Sequence, residues 1–351
     1  MYTSTLLAFS ALASPSIAAY AKVWDYNSNN FWDNFNFIAV SSHLYLKHMA
    51  LLSIYLHVFE SFAKYNLMIR SLQEPDSSFT NGFAQYVGID EALSSGLAKI
   101  NNGKVRLGVD STNTYSTSST GRKSLRLQSW GYFDNGLLVA DFNHVPVAGW
   151  VYQGEQSTTY SEIDILENVN KQTQNTHSLY TSEQCTINVN KGSMVEGKTT
   201  NCHYDHNIDT PQGCSFYGEQ GTFNQPFNDQ YKLIALQVES DRIKIWHFKK
   251  TEVPADLSSA NPNPDAWTKA PTVYITPKSC NFVKAFRMFH IVINITFCGG
   301  WAGDDFKNNN ASGQCKAVTG TSDCKAWVAN HPTDFANTYF EFNSIKLYQR
   351  T

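Results

Sequence analysis

The 351 residues carry 27 Lys plus Arg against 30 Asp plus Glu, a formal charge of −3, which excludes a polyanion-binding surface and predicts neither a nucleic-acid nor a membrane partner. Charged residues are 16% and aromatics 14%, the composition of a neutral surface rich in flat rings. The N-terminus opens on an apolar stretch, Leu6 to Ala13, followed by Pro15 and small residues, which predicts a secretory signal over residues 1–18 and an exported protein in one domain, residues 19–351. From Ile38 to Glu74 the chain has no Gly, Pro or Asp, and its longest uncharged window, Met49 to Phe59, is well short of the roughly 20 residues a membrane span needs. This inserted stretch reads either as translated intron or as a loosely docked surface segment, and in both cases contributes nothing to a functional cleft. From Asn101 onward short alternating runs (GKVRLGVD, KSLRLQSW, GLLVADFNHV, YKLIALQVE, RIKIWHFKK, FHIVINITF, YFEFNSIKLYQ) are punctuated by Gly, Asn, Ser and Asp. Period-2 runs at this spacing predict an all-β antiparallel sandwich, with Val105, Leu107, Phe340 and Phe342 facing inward. Trp246 reads as core packing.

In SEIDILENVN, strand parity puts Glu162 and Asp164 on one face and Ile163 and Ile165 on the other. Glu167 has the wrong parity and joins the other two acids only if a β-bulge near Leu166 adds a residue. Three carboxylates crowded on one face repel unless one keeps a proton, which is the requirement of acid/base chemistry. Arg126 and Gln128 share one strand face and can hydrogen-bond a polar ligand. The ten His show no H-x-x-x-H pair, and the close pair His203 and His206 lacks a helical frame, so neither a metal nor another cofactor is expected. The seven Cys (185, 202, 214, 280, 298, 315, 324) lack metal-site spacing and predict three disulfides and one free thiol, with Cys315 and Cys324 as the first candidate pair. Asn294-Ile295-Thr296 and Asn310-Ala311-Ser312 are glycosylation sequons, the first inside a strand-like run.

With NGFAQYV, GRKSLRLQS, GLLVADFNHVP, SEIDILENVN, VPADL, ITFCGGWAG and NSIKLYQ in this order, the chain resembles family 16 glycoside hydrolases, in particular fungal laminarinase-like endo-1,3(4)-β-glucanases. The resemblance implies a concanavalin A-like β-jelly-roll with a concave glucan cleft. It also implies a secreted, monomeric, retaining endo-β-glucanase acting on β-1,3 or mixed β-1,3(4)-glucan through a covalent glycosyl-enzyme. By position Glu162 becomes the nucleophile, Asp164 its assistant and Glu167 the acid/base. Trp301 matches a cleft position, and Trp150, Tyr152 and Tyr180 are placed to contact sugar beside Arg126 and Gln128. This chain departs from the pattern in three places: the shortened stretch between Pro146 and Glu162, Tyr180 where relatives read His, and the insertion 38–74. The shortened stretch also removes a Cys present in many relatives, which accounts for the odd count. These departures keep two other readings open, a glucan-binding lectin-like homologue and a glucan transglycosylase.

Overall fold

The computed structural model describes residues 20–39, 81–146, 160–205, 212–308 and 315–351. The expected signal over residues 1–18, residues 40–74 of the inserted segment, Trp150, Tyr152, the shortened stretch over 147–159, His206 and the second sequon lie outside these residues.

One layer is a nine-stranded sheet, ordered Ile187–Lys191, Val273–Pro277, Arg242–Lys249, Tyr231–Glu239, Gly136–His144, Tyr339–Arg350, Lys104–Gly108 and Ala98–Asn101, with Tyr20–Asn27 also paired to Tyr339–Arg350. The opposing layer is made of three smaller sheets. Ser193–Met194, Cys214–Tyr217, Thr176–Thr181 and Ser161–Ile163 form the first, and Phe289–Asn294, Arg126–Phe133 and Phe35–Phe37 the second. Ala84–Tyr86 and Arg122–Ser124, paired in parallel, form the third. Val105, Leu107, Phe340 and Phe342 from the large sheet and Leu127, Ile163, Leu179 and Phe216 from the smaller ones are fully buried in one shared core, as the inward parity predicts.

The central strands depart from simple alternation. In Gly136–His144, Leu138, Ala140 and Phe142 enter the main core, while Leu137 and Val139 enter a second cluster on the other face of the sheet with Trp246, Phe248 and Tyr348. The turn at Ala255–Ser258 covers that cluster with Leu257, and its Asp256 carboxylate accepts from the Trp267 indole N–H at 2.9 Å. A strand buried on both faces needs apolar residues at consecutive positions, which explains the unbroken GLLVA run. Trp246 is core as predicted, in this outer cluster, and its indole N–H donates to the Lys269 carbonyl.

Ile38 corrects the boundary of the inserted segment. It is buried, and its N–H donates to the Arg126 carbonyl at 2.8 Å, continuing the ladder of Phe35–Phe37. The first sequon is closed: Asn294 is buried and its amide donates to the Tyr86 hydroxyl.

All seven cysteines are placed. Cys185 pairs with Cys280, Cys202 with Cys214 and Cys298 with Cys324, leaving Cys315 as a buried free thiol. The count of three bridges and one thiol agrees with the sequence reading, but the pairing Cys315–Cys324 does not. Those two residues each open a separate helix, Cys315–Thr319 and Cys324–Asn330, and Cys298, at φ 59°, brings its Cα to 5.8 Å from that of Cys324. Sequence proximity gives way to the Cα geometry a bridge requires. Thiol titration of the denatured, unreduced monomer is expected to return one group per chain, and reagent applied to the native protein should react slowly because Cys315 is buried and burial raises its pKa. Two or more titratable thiols would contradict this pairing.

Candidate active site

The site is built on the pairing of Ser161–Ile163 with Thr176–Thr181. Glu162 lies opposite Tyr180 and Ile163 opposite Leu179, and the Asp164 N–H donates to the Ser178 carbonyl at 2.8 Å. Pairing then resumes at Glu167 opposite Thr176. Four steps on one strand, 163 to 167, match three on the other, 179 to 176, so one extra residue is inserted. Ile165 and Leu166, which would face opposite ways in a regular strand, are both buried, and Glu167 turns to the face that already carries Glu162 and Asp164. The conditional bulge of the sequence reading is therefore present at Ile165–Leu166.

The three acids border a cleft of about 330 Å³ with Tyr160, Tyr180, Lys198, Tyr204 and Gln212. Glu167 also borders a neighbouring cavity of about 550 Å³ lined by Asn168, Asn170, Phe297, Trp301 and Trp327. Trp301, in the helix Gly299–Asn308, is about half exposed on that cavity's rim, free to present its ring face. Arg126 is buried and acts on Glu162 through its charge, while Gln128 is half-buried; neither is among the side chains bordering the cleft. Among the described residues no group of His, Cys, Asp and Glu is arranged to hold a metal ion.

The electrostatics separate the carboxyls. Burial and the charge of Glu167 push Glu162 up to about 8, opposed by a hydrogen bond from Asp164 and by the Arg126 charge, both of which favour the ionised form. Burial, then the Asp164 charge, pushes Glu167 well above the usual carboxylate range, opposed by Lys198 alone. Two influences favour the ionised form of Glu162, the Arg126 cation and a hydrogen bond from Asp164, against Lys198 alone for Glu167; the Asp164 hydrogen bond requires Asp164 to be protonated and its repulsion of Glu167 requires it to be ionised, so these belong to different charge states of the three acids. Tyr180, beside them, is raised by burial and by the surrounding acids and stays a neutral phenol.

Raised carboxyl pKa values make the folded chain bind protons that the unfolded chain has released, so their contribution to stability falls as pH rises from 4.5, the ordinary value, to about 8 for Glu162. Glu162→Gln removes that loss. The midpoint difference between variant and wild type is expected to widen in the variant's favour by a few degrees across this window, measured by thermal melts at fixed ionic strength. A difference independent of pH would mean that Glu162 titrates as an ordinary exposed acid.

Four cleft residues, Tyr160, Lys198, Tyr204 and Gln212, were not among the sequence candidates. Tyr160 shares the parity of Glu162 and Asp164, and that signal was available in the sequence. Its ring lies 5.6 Å from that of Tyr204, which in turn meets Tyr180 edge-on at 5.8 Å. Lys198 comes from a loop with no strand pattern, and donates to the Gln212 carbonyl at 2.6 Å; nothing in its sequence context marks it.

A family model described as the XgeA-like catalytic domain of glycoside hydrolase family 16 matches residues 71–348. The chain is 35% identical over 283 residues to endo-1,3(4)-beta-glucanase xgeA of Emericella nidulans and 32% identical over 279 residues to a probable glycosidase of Schizosaccharomyces pombe. Each alignment takes in 77% of this chain, but 44% and 64% of those proteins, so the chain spans less than half of the first and under two thirds of the second. Among solved structures, an elongating family 16 β-1,3-glucosyltransferase superposes with a TM-score of 0.73 at 29% identity, covering 94% of this chain and all of that one. Laminarinase 16A from Phanerochaete chrysosporium, solved with two β-glucans in donor and acceptor sites, superposes with a TM-score of 0.71 at 25% identity, covering 95% of this chain and all of that one.

Proposed function

The chain belongs to glycoside hydrolase family 16, and from that premise we propose that it is an exported, retaining endo-β-glucanase cleaving β-1,3 or mixed β-1,3(4)-linked glucan. The observation that carries this reading is the single-residue bulge that brings Glu167 onto the face of Glu162 and Asp164 in an open cleft. Breaking an acetal generates an oxocarbenium-like centre and an alkoxide leaving group, so one carboxyl must supply a proton while another supplies an electron pair. Glu167, kept protonated by burial, protonates the glycosidic oxygen. The ionised form of Glu162, favoured by the Arg126 charge and by a hydrogen bond from protonated Asp164, attacks the anomeric carbon and forms the glycosyl-enzyme. Glu167, now a carboxylate, takes a proton from water as it attacks the same carbon and releases Glu162. Retention requires carboxyl groups about 5 to 5.5 Å apart. Trp301 on the rim of the neighbouring cavity and Tyr180 on the cleft support contacts to the sugar, and three disulfides support an oxidising, extracellular destination.

Reducing ends released from laminarin test the activity, and the anomer formed first, followed by NMR, tests the stereochemistry: β product is expected, and initial α product would overturn the retaining mechanism. A second reading, transfer to a sugar hydroxyl in place of water, is favoured by the similarity to the elongating glucosyltransferase. Products longer than the substrate oligosaccharide would identify it.

A further inference from the structure

The bulge beneath the site depends on a side chain eight residues after Glu167. Asn175 is fully buried. Its Oδ1 accepts from the Glu167 N–H at 2.8 Å and from the Thr176 N–H at 2.9 Å, and its Nδ2 donates to the Ile165 carbonyl at 2.8 Å. The two backbone groups it binds on the opposite strand flank Leu166 on either side, so one amide closes the loop around the inserted residues. The same Nδ2 faces two imidazole nitrogens, Nε2 of His247 at 3.2 Å and Nε2 of His177 at 3.5 Å. His177 Nδ1 donates to the Asp164 carbonyl at 3.2 Å, and His247 Nδ1 donates to the Thr272 hydroxyl at 3.3 Å, which leaves both Nε2 atoms as acceptors. Burial holds both rings neutral, His177 down to about 4 and His247 well below its ordinary value. With N–H groups on one side of Asn175 and acceptors on the other, only one orientation of the amide satisfies the set. The Asn175 backbone is fastened as well: its N–H donates to the Thr222 hydroxyl at 3.1 Å, and its carbonyl accepts from Gly218 at 2.8 Å, where an added Cβ would lie 2.6 Å from that hydroxyl.

A bulge leaves ladder groups unpaired, and buried unpaired groups are costly. Without an amide here, regular pairing would satisfy those groups, and a one-residue slip would turn the Glu167 side chain toward the core. We propose that Asn175 is a positioning residue for the proton donor: its side-chain amide holds the bulge in the register that keeps Glu167 on the cleft face. The Asn175–His177–His247 group acts through Glu167 and leaves Glu162, which lies before the bulge, in place. This rests on the hydrolase reading above.

The test separates proton donation from nucleophilic attack. Asn175→Ala removes all the side-chain bonds, and the isosteric Asn175→Asp keeps the acceptor bonds and loses the donor ones. Each is assayed on laminarin, whose sugar leaving group needs a proton, and on a dinitrophenyl β-laminaribioside, whose phenolate leaves without one. Laminarin kcat is expected to fall about 100-fold or more in Asn175→Ala, with Asn175→Asp between it and wild type. The phenolate burst should stay within about 10-fold of wild type, since departure needs no general acid, and azide should restore turnover. The basic limb of the laminarin pH profile should also move. Equal losses on both substrates, no loss on either, or failure of both variants to fold would show that Asn175 has a purely structural role. If Glu167→Gln itself lacked this leaving-group selectivity, the hydrolase reading would fail instead.

Discussion

Glu162→Gln and Glu167→Gln are each expected to abolish most glucan hydrolysis with the fold intact, because each removes one half of a two-step displacement. Loss of the proton donor should lower the rate on laminarin by about 10² to 10⁴. Loss of the nucleophile should cost at least as much, since no other carboxylate on that face precedes the bulge except Asp164, whose hydrogen bond is already directed at Glu162. Both substitutions are isosteric, and each removes a carboxyl whose charge is disfavoured by burial, so neither should lower the thermal midpoint near neutral pH. Azide assigns the roles. In Glu162→Gln it should attack from the face opposite the leaving group and give the α-glycosyl azide. In Glu167→Gln it should intercept the glycosyl-enzyme and give the β-glycosyl azide. If neither variant loses activity, the chemistry belongs elsewhere in the chain.

Arg122→Met is expected to produce the largest loss of stability among single substitutions away from the cleft. Arg122 is fully buried, yet its guanidinium faces no carboxylate directly; it donates to the carbonyls of Asp110 at 2.8 Å, Asn113 at 2.9 Å, Val328 at 3.0 Å and Ala329 at 3.2 Å. The Tyr115 and Phe335 rings lie about the cation at 5.0 and 5.1 Å. The nearby Asp110 carboxylate is itself held far below the usual range by hydrogen bonds from Tyr115, Asn113 and Thr112. Removing the guanidinium strands four inward carbonyls, and each buried acceptor left unsatisfied costs about 1 to 3 kcal/mol. Arg122→Lys should recover little, because an ammonium has three donors at one point and cannot span carbonyls from two separate segments. Denaturant unfolding measures the effect, and a loss below about 1 kcal/mol would show that water replaces the guanidinium.

The contrast between Glu162 and Glu167 shows where the chain's own text stops. Side-chain alternation is a local property of extended backbone, so the shared face of Glu162, Asp164 and Tyr160 follows from spacing alone. The position of Glu167 does not, because a bulge is decided by whether something buries and satisfies its spare backbone groups. Here that partner, Asn175, lies just before the strand Thr176–Thr181 and is fastened through His247, whose place is fixed by the large sheet.

The sequence by itself determined the sandwich, through period-2 runs such as Val105 and Leu107 or Phe340 and Phe342, and the number of bridges, through an odd count of cysteines in a chain without metal spacing. Only the tertiary structure decided which cysteine stays free, since Cys324 meets Cys298 across two helix ends in preference to Cys315, nine positions before it. It also decided that Leu137 and Val139 face a second core, and that Lys198, from a loop without pattern, stands beside the acids. The physical reason is common to all three. Alternation and composition are set by neighbours along the chain, whereas bridge partners, second faces and the charges that set a pKa are set by neighbours through space.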